Sequence, residues 1–171
     1  MCKIRAASKT NILDRAIMET LWFTGAKVQE LCDLKLADVN LQDRYIKISK
    51  QKCLHKREVP FQPYYSGKLL GYLNVRKKLL VRNGGISPFL FLNKYGKSFT
   101  PQEIRNIICR YTKIAGINKK VTPNCFRRSF FSILFNHGIS LETISIFLGH
   151  RSLSTTTSYI IYKDMPNPFF Y

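Results

Sequence analysis

Asn124, Arg127 and Arg128 follow Thr122-Pro123 at i, i+3 and i+4, so a helix that starts there can carry all three on one face near its N-terminal N–H groups, where an anion is favoured. That is the shape of a phosphate site. Further along, Leu148-Gly149-His150-Arg151-Ser152 places a histidine and an arginine in the turn after a helix, and Tyr159 follows in the next element, from which a phenol and an imidazole can converge. Spacing by itself is also compatible with ordinary packing, since basic residues near helix starts are commonly solvated and tyrosines commonly lie in cores.

The elements that must hold these residues are readable from periodicity. Asn11 caps a helix through Ile12, Leu13, Ala16, Ile17, Thr20 and Leu21, whose apolar positions form one stripe, and Gly25 ends it. A short helix carries Val28, Leu31, Cys32 and Leu34. Alternation at residues 45–49 predicts a strand, and Arg57-Glu58-Val59-Pro60-Phe61 a second, joined across a basic connection with Lys50, Lys52, His55 and Lys56 as a hairpin. A helix is expected from Gly67 to Val81, then an extended piece over residues 87–93. Thr100-Pro101-Gln102-Glu103 is a capping box that opens a helix with Ile104, Ile107, Ile108, Tyr111 and Ile114 inward and Gly116 as its stop. Thr122-Pro123 opens another, with Phe126, Phe130, Ile133 and Leu134 inward and Gly138 at its end. A short helix runs from Ser140 through Leu148, and Ser154 can cap one more. The expected fold class is mainly α with a small β-hairpin or sheet (α+β), the hairpin leaning on helices because two strands alone are marginal.

A chain of 171 residues with 45% hydrophobic content suits a single core that needs neither metal nor disulfide. Its 28 Lys+Arg against 10 Asp+Glu leave a formal charge of +18, which opposes compaction unless a polyanion is the partner, with nucleic acid foremost and a ribosome or membrane surface as alternatives. Five cysteines without a CxxC pair indicate no disulfide framework or zinc site and fit a reducing compartment. No signal-type apolar run opens the chain and no stretch approaches the ~18 apolar residues of a membrane span, so an intracellular, soluble protein is expected. The tail Pro166-Asn167-Pro168-Phe169-Phe170-Tyr171 is aromatic and is expected to pack on its own chain or on another.

Four blocks give a sharper reading: TGAKVQELCDLKLADVNL at 24–41, KQKCLHKREVP at 50–60, TPNCFRRSF at 122–130 and LGHRSLSTTTSY at 148–159. In this order they resemble the catalytic domain of the tyrosine recombinases, the phage integrase and Xer-type family. The resemblance implies the DNA breaking-rejoining fold of that domain. It implies attack of a tyrosine on a DNA phosphodiester, a 3′-phosphotyrosyl intermediate with a free 5′-hydroxyl, reversal by a second strand's hydroxyl, and no metal or nucleotide cofactor. By position, Tyr159 matches the nucleophile, Lys52 the hairpin lysine that acts as general acid, Arg127 the arginine of H-x-x-R, and His150 the LGH histidine that donates to the phosphate. Lys50 and Lys56 compete with Lys52, which keeps the spacing to the R-x-V-P at 57–60.

Two positions depart from the family pattern. Lys27 stands where T-G-x-R has arginine, keeping the charge and losing the two-pronged geometry. Asn124 stands where H-x-x-R has histidine, so it can donate a hydrogen bond but not shuttle a proton. Arg128, Arg151, Lys50 and Lys56 are expected to contact DNA phosphates. The expected organisation is an extension at 1–10, the catalytic domain at 11–163 and a tail at 164–171, with the family's N-terminal core-binding domain absent. The expected partners are double-stranded DNA and further copies of the chain, assembled as a tetramer on DNA through the tail. Site-specific recombination or integration is the first expectation. A degenerate DNA-binding remnant or accessory protein, and a type IB topoisomerase-like nicking and closing activity, are the alternatives.

Overall fold

The computed structural model describes residues 2–8, 10–50 and 53–160. Lys52 and the tail beyond Ile160, and with them the expectations placed there, lie outside the described residues. The chain runs α1 (Cys2–Ala7), α2 (Ile12–Thr24), α3 (Val28–Asp33), a 3-10 turn (Leu36–Asp38), β1 (Val39–Asn40), β2 (Tyr45–Lys50), β3 (Cys53–Pro60), α4 (Pro63–Arg82), α5 (Pro101–Ile114), α6 (Pro123–Asn136), α7 (Leu141–Leu148) and α8 (Leu153–Thr157). The strands form one antiparallel sheet in the order β1-β2-β3. Ile46 faces Val59 and Ile48 faces Arg57, so among the described side chains of the hairpin the buried positions are three aliphatics and one arginine.

Helix α2 is the central pillar, packed against α3, α4, α5 and α6. Ala16, Ile17, Met18, Leu21 and Trp22 are buried, and so are Asp14, Thr20 and Thr24, because a helix covered on most sides must partner its polar groups internally. Thr20 donates to the Ala16 carbonyl at 2.7 Å and its hydroxyl meets that of Tyr65 at 2.5 Å. The Asp14 carboxylate takes Arg110 and the Tyr111 hydroxyl from α5, the latter at 2.9 Å. Residues 87–92 lie outside the three-stranded sheet, with isolated bridges at Phe89 and Leu92 and a bend between them. Buried Arg76 of α4 donates to the carbonyls of Ser87, Phe89 and Leu90, and Tyr72 bonds both the Leu90 carbonyl and the Leu92 N–H. Side chains thus complete for this segment the pairing that the backbone of residues 34–36 begins, where the Leu36 N–H donates to the Pro88 carbonyl at 2.8 Å and the Leu90 N–H to the Leu34 carbonyl at 2.7 Å.

The expected α+β class is what the molecule shows, with local differences. A third strand, β1, is two residues long, too short for any alternation to announce it. Helix α4 starts at Pro63 rather than near Gly67, with the proline at its first position, where a missing N–H costs nothing. Ile114 is 61% exposed: after three turns the α5 stripe has drifted, and Ala115 packs on the core in its place. The cap of α8 is Ser152, whose hydroxyl accepts from the Ser154 N–H at 3.2 Å, rather than Ser154 itself. Residues 2–7 form a helix that seats Ile4 in the core.

Gly25 closes α2 in the left-handed region at φ 57°, and a Cβ there would stand 2.6 Å from Phe130 Cδ1. Gly84 has a similar φ of 59° with open space around it. Gly25→Ala should therefore cost about 2–4 kcal/mol, from the backbone and the overlap together, and Gly84→Ala only about 1 kcal/mol. Thermal melts of the two variants check this, and equal losses would refute the packing part.

Candidate active site

Arg127 lies mid-way along α6 and is only 2% exposed. Its guanidinium is held by two helix ends: Nη1 donates to the Gly25 carbonyl at the close of α2 at 2.6 Å, and Nη2 to the Leu148 carbonyl at the close of α7. Carbonyls at helix C-termini lack intrahelical partners and carry the negative end of the helix dipole, so they suit a buried cation. The guanidinium has more N–H groups than these two carbonyls use, and Tyr159 stands beside it. Burial holds the Arg127 guanidinium below its ordinary pKa, while Tyr159 and Glu30 oppose that effect.

His150 follows the left-handed cap Gly149 of α7 (φ 64°), and its Nδ1 is 2.8 Å from Thr156 Oγ1 on α8. Tyr159 comes directly after α8. Its ring stands edge-to-face against His150, centroids 5.3 Å apart, and against Phe131 of α6 at 5.6 Å. The structure thus brings Arg127, His150 and Tyr159 together from α6, the α7–α8 turn and the end of α8. Asn124 and Arg128 do not share the Arg127 face as the spacing suggested. They remain exposed while Arg127 turns inward, since 100° per residue leaves Asn124 and Arg128 closer to each other than Arg127 is to Arg128. Arg151 and Lys56 are exposed, and Lys50 ends β2. Lys27 is exposed at the N-cap of α3, where its backbone N–H donates to Glu30 Oε2 at 2.8 Å.

Behind Lys27 lies a pair that motif reading passed over. Glu30 and Arg57 are both buried and meet bidentately, Nη2 to Oε2 at 2.6 Å and Nη1 to Oε1 at 3.1 Å. Arg57 Nε also donates to the Phe147 carbonyl at 2.7 Å, and a Cβ at Gly149 would lie 2.8 Å from Arg57 Nη1. A signal was present: Arg57 occupies an inward position of an alternating strand, where a charge demands a partner. Two buried guanidiniums and one buried carboxylate leave an excess of positive charge behind the Arg127–His150–Tyr159 cluster, which suits an anionic ligand. Among the described residues no group of His, Cys, Asp or Glu is arranged to hold a metal ion, and no helix is long and apolar enough to cross a membrane.

Burial works against the charged form of Glu30, but the hydrogen bonds and charge of Arg57, the Lys27 N–H and the charge of Arg127 outweigh it and hold the carboxyl below the usual carboxylate range. A depressed pKa gives stability that is present above the unfolded value of about 4.3 and lost as pH falls through the lower folded value. Glu30→Gln should therefore cost about 3–5 kcal/mol at neutral pH by leaving Arg57 without its counter-charge. The gap from the parent protein should narrow below about pH 4. Melting curves between pH 3 and 7 check this; a gap independent of pH would mean that the carboxylate charge is not what stabilises the cluster.

Residues 1–164 match the phage integrase family. The tyrosine recombinase XerC of Thermodesulfovibrio yellowstonii is 35% identical over 149 residues, covering 85% of this chain and 49% of that protein. The tyrosine recombinase XerA of Pyrococcus furiosus is 33% identical over 159 residues, covering 91% of this chain and 52% of that one. The chain therefore spans about half the length of these relatives. A crystal structure of XerA recombinase superposes with a TM-score of 0.86 at 31% identity, over 92% of this chain and 56% of that chain. XerH site-specific recombinase, bound to palindromic difH substrate in a post-cleavage complex, superposes at 0.80 over 95% of this chain and 48% of its own, and at 23% identity it attests the fold alone. The matched residues include all four motif blocks and the cluster around Arg127, and on that ground the chain belongs to the phage integrase family of tyrosine recombinases.

Proposed function

We propose that this chain carries the catalytic part of a site-specific DNA recombinase or integrase that cuts and rejoins DNA through a 3′-phosphotyrosyl intermediate, with Tyr159 as the nucleophile. The observation that carries the reading is the meeting of Tyr159, His150 and Arg127 beside a buried excess of positive charge. In the cutting step the Tyr159 phenol gives up its proton to solvent as its oxygen bonds to phosphorus, the bond from phosphorus to the 5′ oxygen breaks, and that oxygen takes a proton from Lys52, a role given to it by its motif position. Attack by a 5′-hydroxyl reverses each change and frees the tyrosine, so the bond energy is retained and no external energy source is required.

Arg127 and His150 donate to the non-bridging oxygens as charge develops on them, the stabilisation that usually dominates such reactions. Lys27 adds charge from the start of α3, and Asn124 a donor from the first turn of α6. The exposed Arg128, Arg151 and Lys56, with Lys50 at the end of β2, extend the contact along the DNA backbone, in keeping with the net charge of +18. Double-stranded DNA is the proposed partner and further copies of the chain its proposed company on DNA, in a DNA-associated intracellular setting. The lysine at position 27 and the asparagine at 124 favour a second reading, a DNA-binding relative with weak or no strand exchange.

Covalent trapping separates the two. Incubation with nicked suicide duplexes drawn from sequences flanking its own gene should yield a protein–DNA adduct on denaturing gels that Tyr159→Phe abolishes; clear DNA binding without an adduct would favour the second reading. In an active protein Lys27→Arg should raise the single-turnover rate by roughly tenfold or more, because a planar fork grips a phosphate better than a point charge. An unchanged or lower rate would remove Lys27 from the phosphate site.

A further inference from the structure

Four threonine side chains are buried in helices α2, α5 and α8, and three of them behave alike. Thr20, Thr24 and Thr112 each donate to the carbonyl four residues back, at 2.7, 2.6 and 2.7 Å, the usual outlet for a buried helical hydroxyl. Thr156, 0% exposed, does otherwise: its Oγ1 meets His150 Nδ1 at 2.8 Å, and His150 is the hydrogen-bond partner of that hydroxyl among the described residues. A buried hydroxyl that kept its hydrogen to itself would leave a donor unsatisfied, at a cost that native structures avoid. The hydrogen therefore goes to the ring nitrogen. Nδ1 is the acceptor, and the proton of the neutral imidazole sits on Nε2.

From this geometry we infer that Thr156 is a positioning residue for the reaction, fixing His150 as the Nε2–H tautomer so that the ring offers the substrate phosphate a donor and not a base. The same residue also ties down the nucleophile, for the Tyr159 N–H donates to the Thr156 carbonyl at 3.0 Å. One residue thus sets the ring of His150 through its side chain and the start of Tyr159 through its backbone, and the edge-to-face contact of the two rings follows. The activity part of this inference rests on the strand-transfer reading; the tautomer part does not.

The test reads both parts. The chain has three histidines, His55, His137 and His150, so the His150 ring can be assigned in long-range proton–nitrogen spectra of uniformly nitrogen-labelled protein with glutamine variants of the other two. The parent protein and Thr156→Ser should show the Nε2–H tautomer, while Thr156→Val and, should that variant not fold, Thr156→Ala should lose it. The variants without a hydroxyl should form the phosphotyrosyl adduct on the order of 10²-fold more slowly with DNA affinity unchanged, and Thr156→Ser should stay within about threefold of the parent. An unaltered tautomer in Thr156→Val and Thr156→Ala overturns the inference, as does an altered tautomer with an unchanged adduct rate. A parent protein that forms no adduct counts against the proposed function, and the spectra alone then decide the role of Thr156.

Discussion

The guanidinium groups of Arg57 and Arg127 are taken out of water beside one another, and the arrangement of five elements answers to that fact. An unpaired buried charge costs several kcal/mol, so each group must be met by acceptors at fixed distances. Arg57 is met by the Glu30 carboxylate of α3 and by a carbonyl of the last turn of α7, and Arg127 by carbonyls at the ends of α2 and α7. The ends of α2 and α7 both turn on left-handed glycines, Gly25 and Gly149, which free those carbonyls and let Phe130 and Arg57 approach closer than a side chain at either glycine would allow.

The electrostatic balance of this centre is left one negative charge short. Glu30 offsets one arginine; the partial charges of helix carbonyls soften the second without neutralising it. An anion brought against Arg127 supplies the missing charge, so the structural requirement of the core and the suitability of the cluster for an anionic ligand coincide in one side chain. Next to it His150 is held by the Thr156 hydroxyl, and the Tyr159 ring by edge contacts with His150 and Phe131. Donors fixed before the substrate arrives do not have to reorganise as charge moves.

What was legible in the sequence was what repeats locally. Helices declared themselves through stripes, capping boxes and terminal glycines, and the Arg127, His150 and Tyr159 cluster through motif blocks of fixed spacing. The spacing of Asn124, Arg127 and Arg128 misleads because i, i+3 and i+4 make neighbours on a helix without saying where the core boundary falls among them. Glu30 and Arg57 both lie within motif blocks, yet their pairing is invisible to spacing: 27 residues and a change of secondary structure separate them. Thr156 was hidden for another reason, since a helical threonine ordinarily has a partner of its own four residues back and gives no hint that its hydroxyl has been diverted.

One of the two carbonyls that receive Arg127 lies 102 residues before it, and the one that receives Arg57 lies 90 residues after it. Such long closures are assembled late, when most of the chain is already available to fold. During synthesis on the ribosome, a nascent chain displays much of its positive charge well before the α7 carbonyls emerge to organise the two arginines. It is strongly cationic at that stage, but the cluster around Arg127 does not yet exist. The meeting of Arg127, His150 and Tyr159 is thereby withheld until the described fold is essentially complete, an order of assembly that follows from topology alone.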